Sequence, residues 1–174
     1  MKVRGKILFL VVLMIVLLGA VGYTGYHFNT KAAQDMESMY TDRLVPSELL
    51  FDSLVQGRGI QANLFALMLT TDEKENQALL SDIARRRETV DKNIEAYSKG
   101  NLSATEKTQL ENARKELALY RPITAQAMEL AKANKNKEAY ELFAREGLPI
   151  FERYQAAIRS LSNYGKDVAR AVNE

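Results

Sequence analysis

The sequence lacks several residues on which common active sites depend. It contains no cysteine, so disulfides and thiolate metal sites are excluded, and cysteine usage leaves the cellular compartment open. Nucleophilic triads and zinc sites usually need histidine or cysteine, and the one histidine, His27, lies at the end of an apolar stretch. We therefore predict no catalytic residue, no metal site and no cofactor.

The sequence also has little excess charge and few residues that would break a helix. The net charge is +2, from 24 basic and 22 acidic residues spread along the chain, which argues against nucleic acid as a partner. There are three prolines, and apolar residues recur three and four positions apart rather than alternating. This spacing predicts an all-α fold, in which paired carboxylates such as Glu73 and Glu75 lie on solvated helix faces.

What the sequence does have is one long uncharged run near its start. Residues 7–26 carry no charge, and about twenty apolar residues span the hydrocarbon core of a membrane as a helix. Lys2, Arg4 and Lys6 precede this run. An excess of basic residues on one side predicts a cytoplasmic N-terminus and an extracytoplasmic remainder.

This reading divides the chain into three segments. We predict a basic cytoplasmic N-terminus at 1–6, a helix across the cytoplasmic membrane at 7–28 and an extracytoplasmic domain at 29–174. A cleaved signal peptide is the alternative. Its apolar core would be shorter, and Leu18-Gly19-Ala20 is a poor cleavage site.

Turn and capping signals divide the remainder into four helices. The first is expected to continue from the membrane helix to about Thr70, and Thr71 or Asp72 caps the second. Ser103 and Glu106 fit a capping box that opens the third helix. We also predict that the second helix ends near Ser98 and the third near Ala133, and that the fourth helix bends at Gly147 and Pro149.

Short turns require neighbouring helices to be antiparallel, so we predict an up-down-up-down four-helix bundle continuous with the transmembrane helix. Each helix should turn an apolar stripe to the interior. The stripe of the fourth helix consists of Phe143, Gly147, Ile150, Tyr154, Ala157, Leu161, Tyr164, Val168 and Ala171. In the second helix, a stripe of Leu80, Ile83, Val90, Ile94 and Tyr97 is interrupted by the charged residue Arg87.

Five segments, spread over nearly the whole chain, carry a resemblance to a known family. The start MKVRGKILFLVVLMIVLLGAVGYTGY looks like a first receptor span, and YTDRLVP with the later ANLFALMLTTDEKE looks like a first helix and turn. Leu119-Tyr120-Arg121 and ANKNKEAYELFAREGLPIFERY look like a third helix, a second turn and the start of a fourth helix. In these segments the chain resembles the four-helix-bundle ligand-binding domains of methyl-accepting chemotaxis proteins. The resemblance implies a homodimer that binds ligands at or near the dimer interface, although the sequence as it stands has no second span, HAMP linker or cytoplasmic methylation hairpin.

Arginine is the residue type best suited to bind a ligand in this chain, because its planar guanidinium matches carboxylates and other small anions. Counting from the turns places Arg58, Arg85, Leu117 and Glu152 at one level of the bundle, with Arg121 within two turns. We call this level the arginine layer. The resemblance adds weight to Arg58 alone, by its height on the first helix.

The predicted ligand-binding residues are Arg58, Arg85, Arg87 and Arg121. Two alternatives stay open at this point. The exposed arginines could instead pair with surface carboxylates, at about 0 to 1 kcal/mol each. Arg87 could extend its head outward or pair with Glu116 or Glu152, because an unpaired charge inside the bundle is costly.

The predicted function is that of a homodimeric extracytoplasmic sensory domain of a chemoreceptor-like transducer, with a small anionic ligand such as an organic acid or amino acid. Ligand binding would shift helix packing and move the fourth helix relative to the first. By its length the fourth helix returns to the membrane, so the chain is expected to be a receptor module cut before a second span, or a stand-alone anchored module. The alternative function is an anchored bundle that binds another envelope protein without a small ligand. We expect no enzyme activity.

Overall fold

The computed structural model describes residues 3–40 and 44–171, without the side chains of 4, 38, 39 and 165–171. It divides into two compact units, Met1–Thr41 and Asp42–Glu174. All regular structure in the described ranges is helical. The predicted all-α class is therefore confirmed.

The first unit contains one apolar helix, α1 (Val3–Met39). Its segment Gly5–Glu37 is long and apolar enough to cross a membrane, and no part of its most apolar window is buried within the protein. A signal sequence would form the same kind of helix. The bounds at 7 and 28, the orientation and the retention of the segment thus stay predictions.

The second unit is a four-helix bundle. Its helices are α2 (Val45–Leu67), α3 (Glu73–Ser98), α4 (Ala104–Lys132) and a composite fourth helix formed by α5 (Asn136–Leu142), a π-helical turn (Phe143–Gly147) and α6 (Leu148–Ala171). The bundle prediction is confirmed. The expected continuity of α1 with α2 falls on 41–43, outside the described residues.

Local capping chemistry sets the helix starts. The Asp72 carboxylate accepts a hydrogen bond from the Glu75 backbone N–H at 2.8 Å and so caps α3. The Ser103 hydroxyl accepts from the Glu106 backbone N–H at 3.2 Å, while the Glu106 carboxylate accepts from the Ser103 N–H at 2.8 Å. This capping box opens α4 as predicted.

The four helices associate as two pairs. α2 packs mainly against α3, and α4 packs mainly against α6, whereas packing between the pairs is sparser. We call these the α2–α3 pair and the α4–α6 pair. The helix backbones therefore approach each other more closely within each pair than between the pairs.

Aromatic rings run through the core from the π-helical turn to α6. Phe143 packs edge-on against Phe65 at 5.4 Å between ring centroids, and its ring is tilted against Tyr120 at 6.2 Å. Tyr120 stacks on Phe151 at 5.3 Å, and Phe151 stacks on Tyr154 at 6.3 Å. Four of these five residues are fully or almost fully buried, so the series fixes the relative positions of α4 and α6.

The bend expected near Gly147 takes the form of the π-helical turn. A Cβ atom on Gly147 would lie 2.3 Å from Cδ2 of Phe143, so glycine leaves the space that the buried ring fills. The buried face of α6 includes Phe151 and Ile158, which lie outside the predicted stripe, together with Tyr154 and Leu161, which belong to it.

Candidate functional site

The four predicted ligand-binding arginines lie in three different environments. Arg85 and Arg121 form ion pairs with carboxylates, Arg58 lies in a surface groove, and Arg87 turns toward the interior. Leu117, a residue of the predicted arginine layer, lines the same small interior cavity as Arg87. The residues share a height but do not converge on one point.

Arg85 and Arg121 are each neutralised by a nearby carboxylate. The exposed Arg85 pairs with Asp82, three residues before it on α3. Arg121 on α4 pairs with Asp91 on α3. Each guanidinium already has an acidic partner, which makes both weaker candidates for a ligand contact.

A ladder of polar side chains joins α2 to α3. Its hydrogen bonds run from Asn63 to Asp82 (2.7 Å), Arg86 to Asp82 (2.6 Å), Arg86 to Gln56 (2.8 Å), Gln56 to Asp52 (2.8 Å) and Asn93 to Asp52 (2.7 Å). Arg86, then Arg85 and Asn63, lower the pKa of the Asp82 carboxyl well below its usual range. The ladder fixes the register of α2 on α3, so these two helices are expected to move as one body.

Arg58 lies in a groove of about 450 Å³ between α2 and α6. Its guanidinium donates a hydrogen bond to the Gln155 side-chain oxygen at 3.2 Å. A second arginine, Arg159, lines the same groove. Among the side chains that the structure describes, no carboxylate pairs with either arginine.

The groove combines these cations with polar and apolar neighbours. Its other lining residues are Leu50, Phe51, Leu54, Val55, Ser162 and Asn163. Phe51 is 68% exposed and Val55 is 44% exposed. The volume and the mixture of a few polar groups with apolar walls are typical of small-molecule sites.

Arg87 points between the two helix pairs. Its guanidinium donates to the Thr124 hydroxyl at 2.6 Å, and this hydroxyl donates to the Arg121 backbone carbonyl at 3.0 Å. Burial lowers the pKa of Arg87. Tyr120 raises this pKa in part, and the positive charge of Arg121 lowers it further. Arginine still keeps its proton at neutral pH, so the charge remains.

Within the described part of the bundle no carboxylate forms an ion pair with Arg87, although the charge of Asp91 acts on it and raises its pKa in part. Glu116, which we considered as its partner, instead accepts a hydrogen bond from Arg153 at 2.9 Å. Glu152, the other candidate, is exposed. Arg87 is thus a partly buried cation whose recorded hydrogen bond is to a neutral hydroxyl.

Sequence reasoning missed Arg159 and the roles of two tyrosines. Arg159 follows Gln155 by one helical turn and therefore shares its face, which level counting alone does not reveal. Tyr120 and Tyr154 line the interior cavity with Arg87. In the described ranges, no three histidine, aspartate or glutamate side chains come together as a metal-binding group.

Comparison with known proteins places the chain in one family. Residues 1–174 match the model of a family described as a four helix bundle sensory module for signal transduction. No curated protein matches the chain. Because the match extends over the whole sequence, the chain belongs to this family of sensory modules.

Proposed function

We propose, from its membership of this family, that the chain is the extracytoplasmic ligand-sensing part of a chemoreceptor-like transmembrane transducer that acts in chemotaxis. The apolar helix α1 supports anchoring in the cytoplasmic membrane, and the basic residues at 2, 4 and 6 support a cytoplasmic N-terminus. In this proposal residues 1–6 are cytoplasmic, 7–28 cross the membrane and 29–174 form the sensory domain.

The proposed ligand is a small anion, such as an organic acid or an amino acid, that binds in the Arg58 groove. The observation that carries this proposal is the pair Arg58 and Arg159, two arginines in one groove without a carboxylate partner among the described side chains. A ligand carboxylate would accept hydrogen bonds from them, and it could displace the neutral Gln155 amide from Arg58. Phe51 and Val55 would contact its carbon skeleton.

A homodimer is part of the same proposal. Leu44, Phe51 and Val55 are 49%, 68% and 44% exposed, and their spacing of two turns and one turn places them on one side of the helix. Burial of such an apolar stripe against a second copy would stabilise the dimer and cover the groove. The ligand would then lie at or near the dimer interface.

A second candidate function is the binding of another envelope protein. Leu69 in the α2–α3 turn is 86% exposed, and Tyr140 on α5 is 54% exposed. Tyr140 also contacts Phe65 near the end of α2, with 6.2 Å between ring centroids. These apolar groups at the end of the bundle that carries the α2–α3 turn would suit a protein partner.

A thermal-shift screen of the full chain in nanodiscs tests the ligand proposal, because a ligand that binds the folded state raises the unfolding temperature. We expect an organic acid or amino acid to give a saturable rise that is lost in the Arg58→Ala and Arg159→Ala variants. Arg145→Ala is the matched control, because Arg145 is exposed and pairs with the adjacent Glu146. A screen without any rise, or a rise that survives in the Arg58→Ala/Arg159→Ala double variant, would overturn the proposed groove.

A further inference from the structure

The α2 side of the Arg58 groove is an apolar wall with a cation at one end. Apart from Arg58, the α2 residues that line the groove are all apolar, and they lie one or two helical turns before it: Leu50, Phe51, Leu54 and Val55. Eight residues of α-helix extend about 12 Å along the axis. A ligand that fills the groove lengthwise therefore places its carbon atoms against this wall and removes apolar surface from water.

The α6 side of the groove supplies a second cation and two neutral polar groups. α6 runs antiparallel to α2 in the bundle, and the hydrogen bond from Arg58 to Gln155 sets their relative height. Arg159 lies one turn further along α6 than Gln155, so it stands level with the middle of the α2 wall. Ser162 and Asn163 lie about two turns further than Gln155, level with the end of the wall that is distant from Arg58. The positive charge is thus confined to one half of the groove.

No acidic side chain within the described ranges lines this groove, so its lining has a net positive charge. Glu152 on α6 lines an adjoining groove between α4 and α6. It precedes Arg159 by seven residues, which corresponds to about 10 Å along the helix axis. A ligand carboxylate held by the two arginines therefore has no protein carboxylate beside it.

This charge pattern separates organic acids from amino acids. In an α-amino acid the ammonium group is attached to the carbon next to the carboxylate. A carboxylate held by Arg58 and Arg159 would bring that ammonium close to both guanidiniums, and like charges without a compensating partner weaken binding. An acid without the amino group avoids this repulsion.

The apolar wall separates acids with one carboxylate from those with two. A second carboxylate at the far end of a ligand would lie against Leu50 and Phe51, where Ser162 and Asn163 are the polar neighbours. Taking a charge out of water beside apolar side chains and neutral polar groups is unfavourable. A methyl group or an aromatic ring in the same place gains from burial.

From these observations we propose that the Arg58 groove selects an organic acid with one carboxylate and an apolar alkyl or aryl body, and that it disfavours amino acids and dicarboxylates. This inference rests on the ligand site proposed above and narrows its ligand class. Arg58 and Arg159 donate hydrogen bonds to the carboxylate, while the apolar wall of α2 covers the body of the ligand.

The test compares ligands that differ in one group, by thermal unfolding of the full chain in nanodiscs. Phenylpropanoate and phenylalanine differ in the α-ammonium group, and hexanoate and adipate differ in a second carboxylate. We expect phenylpropanoate and hexanoate each to bind about tenfold or more tightly than their counterparts, because one uncompensated charge costs that much at a partly exposed site. From acetate through butyrate to hexanoate, affinity should rise about twofold to fourfold for each methylene that the wall covers.

Phe51→Ala tests the contact between the ligand and the wall. Phe51 lies seven residues before Arg58, about 10 Å along the helix, so it reaches the body of phenylpropanoate but not acetate bound at the arginines. The variant should weaken phenylpropanoate binding several-fold and leave acetate binding unchanged. Leu119→Ala is the matched control, because Leu119 on α4 is 45% exposed and lies outside the groove. Equal losses for acetate and phenylpropanoate, or no loss for either, would contradict the role of the wall.

The results also distinguish this inference from the proposed ligand site. If phenylalanine or adipate binds as tightly as its counterpart, and this binding is lost in the Arg58→Ala/Arg159→Ala double variant, the ligand class is wrong while the groove stands. If none of these compounds raises the unfolding temperature, or if the rise survives in the double variant, both the groove and the ligand class are overturned.

Discussion

Replacing Gly147 with alanine should destabilise the bundle by about 2 kcal/mol. The new Cβ would lie 2.3 Å from Cδ2 and 2.7 Å from Cε2 of Phe143. That ring is fully buried between Phe65 and Tyr120 and has no room to move aside. Overpacking of this kind costs about 1–3 kcal/mol, and the fixed ring argues for the upper end, while alanine gains about 1 kcal/mol of helix propensity over glycine.

The assay for this prediction is urea denaturation of the full chain in detergent, followed by far-ultraviolet circular dichroism. Gly25→Ala is the matched control. Gly25 is also helical, and its new Cβ would meet no atom within 4 Å. We expect that variant to stay within about 1 kcal/mol of the unsubstituted chain. A Gly147→Ala protein as stable as this control would refute our account of the π-helical turn.

Two further predictions concern acid stability and topology. Asp82→Asn should make the stability of the protein depend less on pH in acid. Arg86, Arg85 and Asn63 lower the folded-state pKa of Asp82. The stability that this carboxylate contributes is therefore present above the unfolded pKa of about 3.9 and is lost as the pH falls. Unfolding measured across acidic pH should give a shallower slope for the variant, and identical slopes would contradict the ladder. A reporter fused after Glu174 should be active outside the cytoplasm. Cytoplasmic activity of that reporter would exclude the proposed orientation.

The helix starts and the bundle could be predicted because they depend on neighbouring residues and on spacing. Asp72 and Ser103 cap helices through backbone groups three residues away, so the sequence contains the whole interaction. Ser98 ends α3 where predicted, before a lysine and a glycine. The apolar spacing predicted the bundle in the same way, because each stripe needs a neighbouring helix to cover it.

The site residues were harder to predict because their environment depends on helix rotation and on distant partners. Counting residues gives the height of Arg85 or Arg121 but not the direction of its guanidinium, and both turn toward carboxylates. Arg159 was missed for the same reason, since its groove exists only once α6 packs beside α2. The stripe predicted for α6 was too narrow, because Phe151 and Ile158 are buried beside Tyr154 and Leu161.

The proposed ligand groove crosses the boundary between the two helix pairs. It brings α2 and α6 together through Arg58 and Arg159. The polar ladder holds α2 on α3, so an anion in the groove would join the α2–α3 pair to the α4–α6 pair. A ligand shifts a conformational equilibrium only by its difference in affinity between the two states, and this anion would favour the state in which the pairs are close. Linkage then requires that any other ligand that favours the same state raises the affinity of the groove for its anion, and that the anion raises the affinity for that ligand by the same factor.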